Sequence, residues 1–187
     1  MFLIRKPDER AIARFLDSQR AASFSYPETG ATSHLPPAGY DVDHNRVWLG
    51  AGRETLERGI AAVRRWTMFD LGWVELHRRD TPIEVGATVA VLASCVAVWS
   101  LNAARIVYVV EEERRFGFAY GTLEDHVEQG EERFLVEMFP DGSVWYDILA
   151  LSRPRHWAAR MGYPLTRRLQ RRFARDSMAA MALAISL

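Results

Sequence analysis

Beyond Trp66 the hydrophobic period of this 187-residue chain changes to two, and six alternating apolar runs follow one another with short turns between them. That succession limits the fold more than any other feature. It predicts strands near residues 71–77, 88–96, 105–112, 116–121, 132–139 and 144–151. The stretches "EEERR" and "PDGS" supply turns, the second through a Pro-Asp-Gly sequence that presets the bend. An antiparallel meander of that length curls strongly, and its concave face needs a cover. The chain from about Pro164 provides one, because Leu165, Leu169, Phe173, Ala180 and Ala184 recur at helical spacing.

Ahead of the meander we expect a strand at 42–49 and a helix at 53–66 with Leu56, Ile60 and Val63 on its inner stripe. Asp8 is placed to cap a first helix carrying Ile12, Phe15 and Leu16 on one face. "YPETGATSHLPPAG" reads as a surface loop. The expected fold class is therefore α+β: a curled antiparallel sheet of about seven strands wrapped on a long C-terminal helix. Residues 40–187 would form this domain, and residues 1–39 an N-terminal helix and Pro/Gly-rich loop. Between sheet and helix such a layout leaves apolar space, which suits a ligand cavity better than a catalytic cleft.

The run "FGFAYG" gives that space a wall. Phe116, Phe118 and Tyr120 share one face, while Gly117, Ala119 and Gly121 leave the other face bare for close approach. The uncharged segment 85–101 is long enough to raise a membrane helix, yet its valine content and a second valine-rich run after Asn102 favour a buried hairpin. The apolar stretch in "MFLIRKPDER" is too short for a secretion leader, so the expectation is a soluble cytoplasmic protein.

Composition removes several chemistries. Formal charge is zero, so no global field recruits nucleic acid or an anionic membrane. Lys6 is the only lysine and has no glycine loop beside it, which argues against a Walker-type phosphate loop or a Schiff-base enzyme. Cys95 is the only cysteine; it lies in "VAVLASCVAVW", where a thiol behaves as a small hydrophobe. Asp41, Asp43 and Asn45 start like a calcium loop, but Arg46 replaces its glycine and Gly52 its final glutamate. "GAG" at 50–52 lacks the third glycine of a dinucleotide fingerprint, and neither GxSxG nor HExxH occurs. Arg167, Arg168, Arg171, Arg172 and Arg175 form an arc on the last helix, read as a solvated face paired with residues 111–113. The six tryptophans, Trp48, Trp66, Trp73, Trp99, Trp145 and Trp157, read as core and rim residues.

The most chemical stretch is "YGTLEDHVEQGEERF", residues 120–134, with five acids and a histidine. It lies within residues 111–147, where eleven acids face three arginines. Adjacent carboxylates can bind calcium or manganese, but such sites need oxygens held in fixed geometry, and a single imidazole is a poor zinc set, so no metal is expected. His126 with an acid would make a general base if a pocket enclosed them. The plainest account is a hairpin loop closing at Gly130 with its acids in water. A middle account puts the loop at the cavity mouth, where His126 and Glu131 orient a polar head while Phe118 and Tyr120 meet its apolar body.

"VWLGAGRETLERGIAAVRRWTMFDLGWVEL", "GATVAVLAS", "RIVYVVEEERRFGFAYGTLEDHVEQGEERF" and "SRPRHWAARMGYPLTRRLQRRFARDSM" together resemble the domain-of-unknown-function nineteen-ninety family of bacterial and plant proteins. The strand order is similar to the helix-grip architecture of START and birch-allergen-like proteins. The resemblance spans residues 40–178 and implies fold and cavity, and no reaction. Three functions fit. The first is a binder of a small apolar or amphipathic molecule, with Tyr108, Phe118, Tyr120, His126, Glu131 and Trp145 as ligand-binding candidates. The second is a cyclase- or hydrolase-like enzyme with His126 as proton carrier. The third is a non-catalytic module that forms a homodimer through the apolar end of the last helix. No cofactor, catalytic residue or metal ligand is assigned, and no nucleic acid or membrane span is expected.

Overall fold

The computed structural model describes residues 1–95, 98–126, 128–154 and 163–186. Strand β1 (Phe2–Leu3) is followed by α1 (Glu9–Gln19), β2 (Asp41–Ala51) and α2 (Arg53–Arg64). Then come β3 (Val74–His77), β4 (Thr88–Cys95), β5 (Val98–Glu112), β6 (Arg115–Thr122), β7 (Glu128–Met138) and β8 (Ser143–Pro154), and finally α3 (Tyr163–Ser186). All strands pair antiparallel in one sheet of order β2-β8-β7-β6-β5-β4-β3. β1 pairs with β5 at Phe2↔Ser100 and Leu3↔Trp99, beyond the end of β6. This is the expected curled sheet with its C-terminal helix and an additional N-terminal helix.

Asp8 caps α1 as its position predicts, its carboxylate accepting from the Ala11 N–H at 2.7 Å. Arg105 closes the other end of α1, donating to the carbonyls of Gln19, Arg20 and Ala22 at 2.8–3.0 Å. A cation there also opposes the negative end of the helix dipole. α1 lies on the convex face, where Ile12 packs with Ala90, Leu92 and Leu101 in a small second core.

The main core fills the concave side. It joins Leu56, Ala62 and Val63 of α2 with Phe118, Phe134, Val136, Tyr146 and Ile148 of the sheet and Met181 of α3. Gly59 lets α2 settle on β7, since a Cβ there would stand 2.8 Å from Val136 Cγ1. At the end of α2, Trp66 takes a left-handed conformation (φ 58°) while fully buried, with its indole N–H on the Thr81 carbonyl at 2.9 Å. That turn sends Phe69 beneath the sheet and toward α3, 5.5 Å from Phe173 between ring centroids. Met181 and Ile185 of α3 are buried, so most of the apolar helix end is covered within the chain, and Leu183 stays exposed.

Two strands start earlier than predicted. β5 starts at Val98, its first residues paired with β4 across Ser100 and Asn102, and β7 starts at Glu128, because polar residues sit in strands where a ladder partner meets their backbone. Residues 128–132 of this acidic stretch are thus strand: Gly130 lies within β7, opposite Ser152, and does not close a loop. The acidic run 111–113 also has other partners than predicted. Glu111 pairs with Arg64, Glu112 with Arg115, and the Glu113 carbonyl accepts from Arg53. Among the arginines of α3, Arg172 and Arg175 pair with Asp176 and Arg167 with Asp43. Trp157 lies outside the described residues.

Candidate functional site

A cavity of about 540 Å³ lies between the concave face of the sheet and α3. Its apolar wall includes Phe69 and Trp73 before β3, Val91 of β4, and Leu169, Phe173 and Met178 of α3. The Trp73 indole N–H donates to Asp176 at 3.0 Å, which ties this wall to the helix.

The polar part of the wall comes from strand pairing. Tyr120 and Glu132 stand opposite one another on β6 and β7, and the tyrosine hydroxyl donates to Glu132 Oε2 at 2.9 Å. Both line the cavity. Burial pushes the Glu132 carboxyl up to about 7; the Tyr120 hydrogen bond opposes the rise, and the negative charges of Glu128 and Asp43 add to it. Burial and the nearby Glu132 raise the Tyr120 phenol as well. Glu128 is raised chiefly by burial, while the Gln170 amide at 2.6 Å and the positive charge of Arg167 hold it down. Asp43 accepts two hydrogen bonds from the Arg167 guanidinium. Glu128 and Asp43 thus have strong donors, whereas no donor among the described residues reaches Glu132 Oε1.

His126 also lines the cavity. Its Nδ1 lies 3.1 Å from both the N–H and the carbonyl of Glu128. Burial pushes the imidazole down to about 4, so it is neutral near pH 7.

The six residues expected at the site divide. Tyr120, His126 and Glu131 border the cavity. Glu131, however, follows the strand alternation to the convex face, where its carboxylate accepts from Tyr26 Oη at 2.7 Å, Gly30 N at 2.7 Å, Thr32 N at 2.9 Å and Thr32 Oγ1 at 2.5 Å. It holds the chain's own loop, and its carboxylate is not free to orient a head group. Phe118 faces inward but is wholly buried behind Tyr120, packed on Trp66 at 4.7 Å between centroids. Tyr108 is on the convex face. A register shift between Ile106 and Tyr108 reverses the alternation, so Tyr108 pairs with Ala119 and its hydroxyl meets Thr32 Oγ1 at 2.8 Å. Trp145 is also convex, between inward Val144 and Tyr146, with the Arg46 guanidinium 4.8 Å from its ring centre.

Sequence reasoning misses Glu132, Glu128, Phe69 and Phe173. A signal for Glu132 exists: it is directly cross-strand from Tyr120 once β6 and β7 are in register. The register itself is not legible, because the polar start of β7 at residues 128–131 has the composition of a turn.

Residues 25–180 match the model of a domain of unknown function, DUF1990. The chain belongs to the DUF1990 family. A UPF0548 protein of Dictyostelium discoideum is 37% identical across 99% of this chain and 96% of its own length. UPF0548 proteins of Deinococcus radiodurans (37% identical, 94% of each chain) and Arabidopsis thaliana (34%, 80% of this chain and 75% of the other) are similar too. Among solved structures, a hypothetical protein of Helicobacter pylori superposes with TM-score 0.58 at 9% identity, covering 86% of this chain and 95% of that one. Ara h 8.0201 aligns at TM-score 0.49 and 9% identity over 79% of this chain and 98% of its own, too distant to argue from. The likeness at 0.58 concerns the fold alone. The DUF1990 match includes Tyr26, Thr32 and Glu131, so the docked loop falls inside the family's boundaries. No helix among the described residues is long and apolar enough to cross a membrane.

Proposed function

We propose that this DUF1990 protein binds a small apolar or amphipathic molecule between its sheet and α3. The observation that carries the reading is the cavity itself. At about 540 Å³ it falls within the range of about 300–1,000 Å³ usual for small-molecule sites. A mostly apolar wall with a few convergent polar groups is also the usual lining of such sites. Tyr120 and Glu132 are among the polar groups that face it, together with Asp43, Glu128 and Asn102, and His126 is a neutral neighbour.

Native mass spectrometry of freshly purified protein, repeated after denaturation, tests this. A mass excess that vanishes on unfolding is expected. Its value separates an organic ligand from an ion. A clean mass, together with no uptake of apolar fluorescent probes, would overturn the reading.

Catalysis on the same frame is the second reading, and one observation changes its form. An imidazole held near 4 is a weak base, whereas the Glu132 carboxyl near 7 exchanges its proton close to neutrality. A proton carrier in this cavity would be Glu132, and turnover would survive His126→Gln and fail in Glu132→Gln.

A further inference from the structure

The cavity reading leaves the ligand's polar end unspecified, and any assignment of that end rests on the same reading. Three carboxylates face the concave side where β2 and β7 border the cavity: Asp43, Glu128 and Glu132. Two have strong donors. Asp43 is paired with Arg167, and Glu128 accepts from the Gln170 amide. Glu132 has Tyr120 on one oxygen, while the other has no donor among the described residues; the residue is partly buried and lines the cavity. Phe69, Tyr120 and Phe173 line the same cavity, with Phe134 packed behind them in the core. Phe69 is 6.0 Å and Phe134 is 5.4 Å from Tyr120 between centroids, and Phe173 is 5.5 Å from Phe69.

The amide oxygen of Asn102, which also borders the cavity, lacks a donor too, but it carries no charge. A charged acceptor oxygen in a wall that also carries aromatic rings suits a donor that is itself a cation. A protonated amine satisfies both demands: it gives a charge-assisted hydrogen bond to the carboxylate and is attracted by the ring faces. A carboxylate head would meet the negative field of Glu132 and Glu128 instead. The competing anchor is the rim, where Arg171 and Arg175 border the cavity. Arg175 is already paired with Asp176, and both arginines are exposed to water, which weakens any ion pair they make. A neutral alcohol could donate to Glu132 but would carry no charge.

We propose that the cavity selects amphipathic amines, the ammonium bound by Glu132 within the Tyr120–Phe69–Phe173 aromatic wall and the apolar body lying along α3. Tyr120 orients the carboxylate and leaves its second oxygen for the ligand.

The test uses the full chain and three probes of equal length, decylamine, decanol and decanoate, kept below their aggregation limits at pH 8. At that pH Glu132 is mainly ionised and the amine protonated. Calorimetry should show decylamine binding about ten-fold tighter than decanol, the difference expected of one charge-assisted contact, with decanoate weakest. Glu132→Gln should remove the preference while decanol still binds. Tyr120→Phe, which keeps the ring and the carboxylate but removes the orienting hydrogen bond, should weaken the preference without abolishing it. Equal binding of amine and alcohol, tighter binding of decanoate, or an amine preference that persists in Glu132→Gln would each overturn the proposal while leaving the cavity reading in place. Binding of none of the three would overturn both.

Discussion

Glu132 and His126 border the same cavity with pKa values displaced in opposite directions by the same cause. Burial disfavours the charged form of each, raising the carboxyl to about 7 from 4.5 and lowering the imidazole to about 4 from 6.5. The folded state therefore holds the Glu132 proton more tightly than the unfolded chain does. Its contribution to stability is complete below pH 4.5 and is lost as pH rises through about 7. His126 behaves oppositely: its contribution is present above pH 6.5 and is lost as pH falls through about 4. Between pH 4.5 and 6.5 the two slopes oppose one another, and the intact protein shows little of either. Substitution should reveal them. Relative to the parent, Glu132→Gln should gain stability as pH rises from 4.5 to 7 and then level off. His126→Gln should gain as pH falls from 6.5 to 4. Each change should be at most about 3 kcal/mol, read by urea unfolding across that range. Flat differences would mean that both groups titrate normally. Individual residues are the least legible scale in the sequence. Period two assigns a face only if the register is unbroken, and the shift after Ile106 moves Tyr108 from one face to the other. Glu131 and Glu132 are chemically identical neighbours, and only the pairing with Gly121 and Tyr120 separates anchor from cavity wall.

At the scale of elements the segment 24–34 departs most from the surface loop that its composition suggests. Tyr26 is 3% exposed and Thr32 1%, both docked on the convex face of β6 and β7. Ser25 N donates to the Thr122 carbonyl at 2.9 Å, and Arg133 donates to the Thr32 carbonyl at 3.1 Å. The four donors on Glu131 complete the attachment. The bare face of "FGFAYG" is a site of close approach, as its small residues predict. What approaches at residue 121 is a side chain: a Cβ there would lie 2.1 Å from Tyr26 Oη. Removing the anchor by Glu131→Ala would leave several donors without a partner, costing about 1–3 kcal/mol for each one that stays buried. Faster amide exchange confined to residues 24–34 would show the loop detaching before the sheet unfolds. Gly121→Ala should destabilise by forcing the Tyr26 ring outward, and Tyr26→Phe alone by about 1.5–3 kcal/mol for its lost hydrogen bond to a carboxylate. Combined, they should cost less than their sum, because removing the hydroxyl relieves the closest clash. Strict additivity in a double-mutant cycle would argue that Tyr26 does not occupy this position. Strands and helices are otherwise readable, since the switch of period at Trp66 and the Asp8 cap are local signals. Loop docking depends on contacts about a hundred residues apart in sequence, which no local pattern records.

For the whole molecule the question is why sheet and helix stay apart where the cavity lies. The surrounding core is closed: α2 reaches β7 through Gly59, Tyr146 Oη meets Ser177 Oγ of α3 at 3.0 Å, and Met181 is fully buried. Interiors normally reach the density of organic crystals, and an unfilled apolar space forfeits dispersion contacts. Small residues keep it open, with Ala93 on β4 and Ala150 on β8 both lining the cavity. If that space is kept for a ligand, filling it from within should improve the fold and remove the function. Ala93→Leu with Ala150→Leu should hold or raise stability, by roughly 0.5–2 kcal/mol as cavity-filling changes commonly do. The same variant should lose both the retained mass and the uptake of decylamine. If the interior is already solid, as a purely structural or dimer-forming module would have it, the added methyl groups overpack it. Destabilisation by about 1–3 kcal/mol is then expected, with any self-association through the exposed Leu183 end unchanged. The two readings therefore differ in the sign of a stability change in a variant whose substitutions lie away from that helix end, and thermal unfolding with native mass spectrometry on one preparation separates them.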